Sequence, residues 1–209
     1  MRRTSVAAFF LIGCLLAPIV VPAALAQEAA GAPPAESTAE STREDGQRFE
    51  MAFLAGGGPG AVKDPDRTST SITEAILRFA INLPKVGGGR QGGTFGVMIE
   101  LVPYFAVHQE PRATGAGVNL MLRYMYAGEH WRPMITFGAG IVKTNARVPS
   151  GESRRNYTPQ GGVGLQYMFS PSFGIDVEYR FHHLSNNSQT ENNPGIDTQL
   201  VLFGLAWSF

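Results

Sequence analysis

Three residues near the C-terminus, His183, Ser185 and Asp197, have the side-chain types of a hydrolytic triad. They lie where two stretches, 173–184 and 197–209, approach a polar loop, and in both stretches large apolar residues alternate with small or polar ones. Strict alternation predicts β-strands with one apolar face, and its parity places all three side chains on that apolar face, near the tip of one hairpin. Polar groups on an apolar face need a reason, and nucleophilic catalysis supplies one.

The triad chemistry assigns a role to each of the three residues. Ser185 would be the nucleophile, His183 its general base, and Asp197 the carboxylate that orients the imidazole and stabilises its charged form. His183 and Ser185 are roughly 6.6 Å apart along an ideal strand. A pucker or a break near Leu184 is therefore needed to bring them within hydrogen-bonding reach.

Neighbouring residues are expected to support or limit this site. Asn186 is a candidate oxyanion donor, helped by backbone N–H groups, whereas Asn193 and Gly195 are expected to shape the loop. A His-x-Ser pair alone has a high false-positive rate, and the competing interpretation is a polar loop tip. His182 has the opposite parity and should face the interior. A metal site shared with His183 is therefore disfavoured, and no metal is predicted.

The same alternation recurs through most of the preceding chain and predicts six further strands: 48–56, 71–83, 94–107, 114–127, 131–143 and 157–169. Eight alternating strands of this length are typical of an outer-membrane barrel, so the predicted fold is an all-β, eight-stranded antiparallel transmembrane β-barrel. Large side chains would face lipid, because the bore of eight strands is too narrow to hold them. The charges on the other face are predicted to pair inside the barrel: Glu74, Arg78, Glu100, Arg123, Asp176, Glu178 and Arg180.

Turn lengths predict the orientation of this barrel. With the N-terminus in the periplasm, the outer loops are 57–70, 108–113, 144–156 and 185–196, and two periplasmic turns are short, at 128–130 and 170–172. Aromatic residues near the strand ends are typical of interfacial girdles; they are Tyr124, Tyr126, Trp131, Tyr167, Phe169, Phe173, Trp207 and Phe209. The final Phe209 also resembles the C-terminal signal that the outer-membrane barrel assembly machinery recognises.

The N-terminal region is predicted to lie outside the barrel. Residues 1–26 have the basic start, apolar run and small-x-small site of a secretory signal peptide, residues 27–46 have the composition of a disordered linker, and residues 47–209 form the barrel. The chain has 17 basic and 17 acidic residues, so loss of Arg2 and Arg3 with the signal peptide leaves a slight acidic excess. Nothing in this balance indicates nucleic-acid binding.

The tip of the last hairpin contains the motif HxSN and, after a short gap, the motif NPGID. These motifs resemble those of the lipid A 3-O-deacylase family of outer-membrane barrels. Many relatives of that family are labelled acyloxyacyl hydrolases. The resemblance implies an outer-membrane serine esterase that acts on lipid A in lipopolysaccharide, with His183, Ser185 and Asp197 as the catalytic residues and no cofactor. The family's best-understood members have Glu at the position of Asp197, which is one methylene shorter.

Two alternatives remain open from the sequence. One is a non-catalytic eight-stranded barrel with a structural, adhesive or binding role, and the other is acyl transfer in place of hydrolysis. A homodimer is also left open.

Overall fold

The computed structural model describes residues 49–62, 70–84, 92–126, 128–149, 153–186 and 195–209. The predicted signal peptide and linker lie outside these residues. The described residues form nine strands: β1 (Phe49–Val62), β2 (Thr70–Asn82), β3 (Gly93–Val107), β4 (Ala113–Tyr126), β5 (Trp131–Val148), β6 (Ser153–Tyr157), β7 (Gln160–Ser170), β8 (Phe173–Leu184) and β9 (Ile196–Ser208). No helix in the described part of the chain is long and apolar enough to span a bilayer.

The strands form one closed antiparallel barrel. Strands that are consecutive along the chain pair with each other, except β6 and β7, and β1 pairs with β9, so that the described strands close into a ring. Strands β6 and β7 both pair with β5 and act as two halves of one crossing, interrupted at Thr158 and Pro159. The predicted all-β, eight-stranded antiparallel barrel is confirmed. The end that carries the β1–β2, β3–β4, β5–β6 and β8–β9 connections is called the loop end, and the opposite end is the turn end.

The outward surface of this barrel is apolar. Large side chains of every crossing are exposed there. For example, Phe53 on β1 is 48% exposed and Phe203 on β9 is 61% exposed. At the turn end, the rings of Trp131, Tyr167 and Phe169 follow one another with centroids 4.6 and 5.1 Å apart. This is the arrangement expected of a barrel whose outer wall contacts lipid and whose rim carries an aromatic girdle.

Charged residues lie in the interior, on the face opposite the exposed apolar side chains, and share it with buried apolar residues such as Leu54 and Phe105. The seven charges predicted to lie there are all buried, and Glu50 joins them. Arg180 Nη2 lies 2.7 Å from both Glu100 Oε1 and Glu178 Oε2. Arg78 Nη1 is 2.6 Å from Glu178 Oε1. Charges removed from water require such partners, and side chains of this length pack the narrow bore.

Two crossings extend further towards the loop end than the sequence predicted. Strand β1 continues to Val62 and remains paired with β2 and β9 through a glycine-rich run. The sequence predicted a loop from position 57 onwards. Strand β5 continues to Val148 and returns as β6, so most of the predicted loop 144–156 is a hairpin. The glycine run suits a strand here because the chains approach closely. A Cβ atom on Gly58 would collide with the backbone carbonyl of Gln199.

Candidate active site

His183 and Asp197 form a close polar pair on the outward face of the barrel, near the loop end. They are direct cross-strand partners in the β8–β9 ladder, and His183 Nδ1 lies 2.5 Å from Asp197 Oδ1. Their side chains are 27% and 26% exposed. The direct register brings the shorter aspartate side chain to the imidazole, so the missing methylene does not prevent contact. The pair leaves Nε2 of His183 as the ring nitrogen that a nucleophile can use.

Ser185 follows the last residue of β8 and is held there by backbone hydrogen bonds. Its N–H donates to Tyr157 O at 3.1 Å, and its carbonyl accepts from Tyr157 N at 2.7 Å. His183 N donates to Pro159 O at 3.0 Å. Ser185 is partly exposed, as His183 is. Among the described residues, no hydrogen bond joins the side chains of Ser185 and His183, so the structure brings His183 and Asp197 together but leaves Ser185 unbonded to His183.

The supporting residues differ in where the structure places them. Asn186 is fully buried and continues the inward parity of His182 and Leu184. Gly195 is buried, and its backbone adopts the left-handed conformation, with φ 65°. A Cβ atom on Gly195 would lie 2.9 Å from Cε1 of His183. Gly195 therefore provides both the turn and the space for the imidazole ring. Asn193 lies outside the described residues.

His182 faces the interior, as its parity predicted. It is 1% exposed, and its ring centroid lies 6.1 Å from that of Phe105. Glu74, Asn119 and Thr158 line the same small internal space. In the part of the chain that the structure describes, no three His, Cys, Asp or Glu side chains converge as a metal site would require.

Sequence reasoning missed two features around the site. Tyr157 and Pro159 were predicted within one continuous strand, yet the strand breaks between them, and Pro159 supplies a carbonyl to β8. A proline cannot donate to a ladder, and this could have marked the break. On the outward face below the site, the Tyr179 hydroxyl donates to Gln199 Oε1 at 2.8 Å. This second polar pair depends on the β8–β9 register, which the sequence does not specify.

The arrangement is suited to acyl chemistry at a lipid interface. A carboxylate bound to one imidazole nitrogen orients the ring, while the other nitrogen is available to take a proton from a nearby hydroxyl. The groups lie on the outer wall, where an amphiphile can approach through the surrounding lipid. The geometry therefore favours a substrate that has a polar ester and long apolar chains.

Comparison with known proteins gives a family and a fold. A sequence profile described as Lipid A 3-O-deacylase (PagL) matches residues 77–206. Among solved structures, the outer membrane enzyme PagL is similar at 16% identity and a TM-score of 0.54, over 74% of this chain and 97% of that one. Neisserial surface protein A is similar at 9% identity and a TM-score of 0.53, over 77% and 96%. No curated protein sequence matches.

Proposed function

Because the chain belongs to the lipid A 3-O-deacylase (PagL) family, we propose that it is an outer-membrane esterase that hydrolyses the 3-O-acyl ester of lipid A through Ser185, His183 and Asp197. Membership of this family supports lipid A deacylation as the general activity. The observation that carries the residue assignment is the contact between His183 and Asp197 on the outward wall, two positions from the partly exposed Ser185.

The proposed reaction proceeds through an acyl-enzyme. Ser185 Oγ attacks the ester carbonyl carbon and gives its proton to His183 Nε2, while Asp197 stabilises the imidazolium. The tetrahedral intermediate collapses, the sugar oxygen leaves with the proton from His183, and the acyl group remains on Ser185. A water molecule then gives a proton to His183 and attacks the acyl carbon, which releases the fatty acid and restores the serine.

The oxyanion of each tetrahedral intermediate needs donors near Ser185. The buried position of the Asn186 side chain favours its backbone N–H for this role over the side-chain amide. The N–H of Gly195 is a second candidate, since Gly195 lies against the His183 ring. Preorganised backbone donors of this kind are effective because they need no reorganisation as the charge develops.

Access from the membrane plane supports a lipid substrate. Below His183 the outward wall continues with exposed apolar side chains, including Phe181 at 49% and Val201 at 40%. An acyl chain can lie against this wall while its ester reaches the loop end. The absence of a bond between Ser185 and His183 is compatible with catalysis, because catalytic hydrogen bonds often form only when the substrate is bound.

The test is mass spectrometry of lipid A from a Gram-negative host that expresses the protein. The wild type should remove the mass of one hydroxyacyl chain, and Ser185→Ala should remove none. Ser172→Ala, an exposed serine in the β7–β8 turn, is the matched control and should behave as the wild type.

Each alternative has its own result. Loss of the acyl chain with both wild type and Ser185→Ala would exclude Ser185 as the nucleophile. Correct insertion of every variant with no change in lipid A would favour the non-catalytic barrel. A new acylated lipid in place of free fatty acid would identify an acyltransferase.

A further inference from the structure

We infer that Lys143 and Arg155, on the β5–β6 hairpin, bind a phosphate group of the acylated sugar whose ester is presented to Ser185. This assignment rests on the proposed function and adds a polar anchor for the substrate headgroup. It follows from the position of two cationic side chains in the barrel wall, from their lack of carboxylate partners among the described residues, and from their distance to the catalytic site.

The two cations are direct neighbours. Lys143 and Arg155 are cross-strand partners in the β5–β6 ladder, and both are exposed. Residues directly opposite in an antiparallel pair point to the same face, with Cβ atoms about 4.5–5.5 Å apart. On its other side, Lys143 pairs with Ala116 of β4, whose methyl group is too small to cover it. The pair therefore presents a double positive charge at the loop end.

No carboxylate of the described residues neutralises this pair. Within the described residues, neither Lys143 nor Arg155 makes an ion pair, whereas each buried arginine of the barrel interior does. Like charges placed directly opposite each other destabilise a hairpin. An anion bound between them would remove this repulsion, and a phosphate can accept hydrogen bonds from an ammonium and a guanidinium at once.

The pair lies within reach of the catalytic site. Arg155 is two residues from Tyr157 on β6, and Tyr157 is the bridge partner of Ser185. Arg155 and Ser185 are separated by one interstrand spacing and by the rise of two residues along β6. Their Cα atoms are therefore roughly 8 Å apart. Because alternate residues of a strand share a face, Arg155 lies on the same outward surface as Tyr157.

This separation suits one class of ligand. A phosphate and an ester on the same sugar unit can occupy the cationic pair and the catalytic serine together, while the acyl chains follow the apolar wall below. Free inorganic phosphate shares the anionic chemistry but has no acyl chains. A neutral acylated sugar has the ester but nothing for the two cations to bind. The site therefore distinguishes substrates by phosphorylation.

The test compares lipid A that retains its phosphates with the same lipid after phosphatase treatment, both in mixed detergent micelles. The double variant Lys143→Gln/Arg155→Gln should raise KM for the phosphorylated lipid about 10- to 100-fold, since each lost charge-assisted contact is worth about tenfold. Its kcat should stay within about twofold, and its KM for the dephosphorylated lipid should match that of the wild type. Arg154→Gln is the matched control. Arg154 is exposed and adjacent to Arg155 on the same hairpin, but its position in the strand has the opposite parity.

Other results would overturn the inference. An equal rise in KM for both lipids, or the same rise with Arg154→Gln, would indicate general attraction to a negative surface. Strong competition by inorganic phosphate at constant ionic strength would indicate a site for the free ion.

Binding is measured separately in the Ser185→Ala background, with fluorescent lipid A transferred to the protein in nanodiscs. A preference for phosphorylated lipid that depends on Lys143 and Arg155 would support the anion site even if no hydrolysis occurred. Hydrolysis of both lipids at equal KM, with no such preference in binding, would retain the proposed function and exclude the site.

Discussion

Strand β8 presents one polar set to the barrel interior and another to the outer wall, and the two sets have different tasks. Inside, Glu178 and Arg180 are fully buried, and they pair with Arg78 and Glu100 of other strands. Outside, the His183 side chain pairs with Asp197 of the adjacent strand, and about a quarter of each side chain remains exposed. The inner charges find their ion-pair partners within the protein, as a structural network requires. The outer set keeps an accessible imidazole, as catalysis requires.

The two adjacent histidines show the same contrast within one dipeptide. His182 is buried beside Phe105, and His183 is exposed beside Asp197. The alternating direction of side chains along a strand is enough to give identical residues different environments. Substitutions on the inner face should therefore affect folding, and those on the outer face should affect activity.

The largest expected effect is on the inner face. Arg180→Met would leave Glu100 and Glu178 with fewer cationic partners in a buried site, which costs about 3–5 kcal/mol when one member of such a network is removed. Urea unfolding in detergent should show this loss in the free energy of unfolding. Arg154→Met, at an exposed arginine, should stay within about 0.5 kcal/mol of the wild type. Equal stability of the two variants would mean that the interior network is not a structural requirement.

The next effect separates the two histidines by activity. His183→Gln should lower kcat/KM for lipid A by more than about 10⁴-fold, because the proposed general base is lost. His182→Gln should remain within about threefold, although it can lower stability. Deacylation rates of the two folded variants, normalised to the folded fraction on a gel, provide the comparison. A reversed order would place the base on the inner face and refute the parity assignment.

A smaller loss is expected at the carboxylate. Asp197→Asn should lower kcat about 10⁴-fold, since the amide neither stabilises the imidazolium nor fixes the required tautomer. Asp197→Glu restores the charge and should stay within about tenfold of the wild type. Activity of Asp197→Asn equal to that of the wild type would show that the contact with His183 has a structural role only.

Much of this molecule could be predicted from its sequence, because the decisive pattern is local. Alternation along each strand gives the strand count and the two faces, and the placement of His183 and Asp197 follows from the same parity. Glu50 was within reach of the same reasoning, since it alternates with Phe49 and Met51 on β1. It pairs with Arg123 across the bore.

Features that depend on register could not be predicted. The identity of the ion pairs, the 2.5 Å contact of His183 with Asp197 and the facing of Lys143 with Arg155 all require the alignment of separate strands. The glycine-rich end of β1 was misassigned because glycine normally marks turns. In this barrel it permits close approach of neighbouring backbones.

Gly195 provides the most sensitive test of the outer site, because its backbone conformation and its lack of a side chain both affect the position of the His183 ring. Gly195→Ala would carry a left-handed strain of about 1–2 kcal/mol and place a methyl group against the His183 ring. We expect kcat to fall about tenfold as the imidazole moves from its productive position. Gly161→Ala on β7 is the matched control, because the nearest atoms to its Cβ are 3.3 Å or more away. If both variants lost the same activity, the cause would be barrel stability; if only Gly195→Ala did, the loop would be shown to hold the base in place.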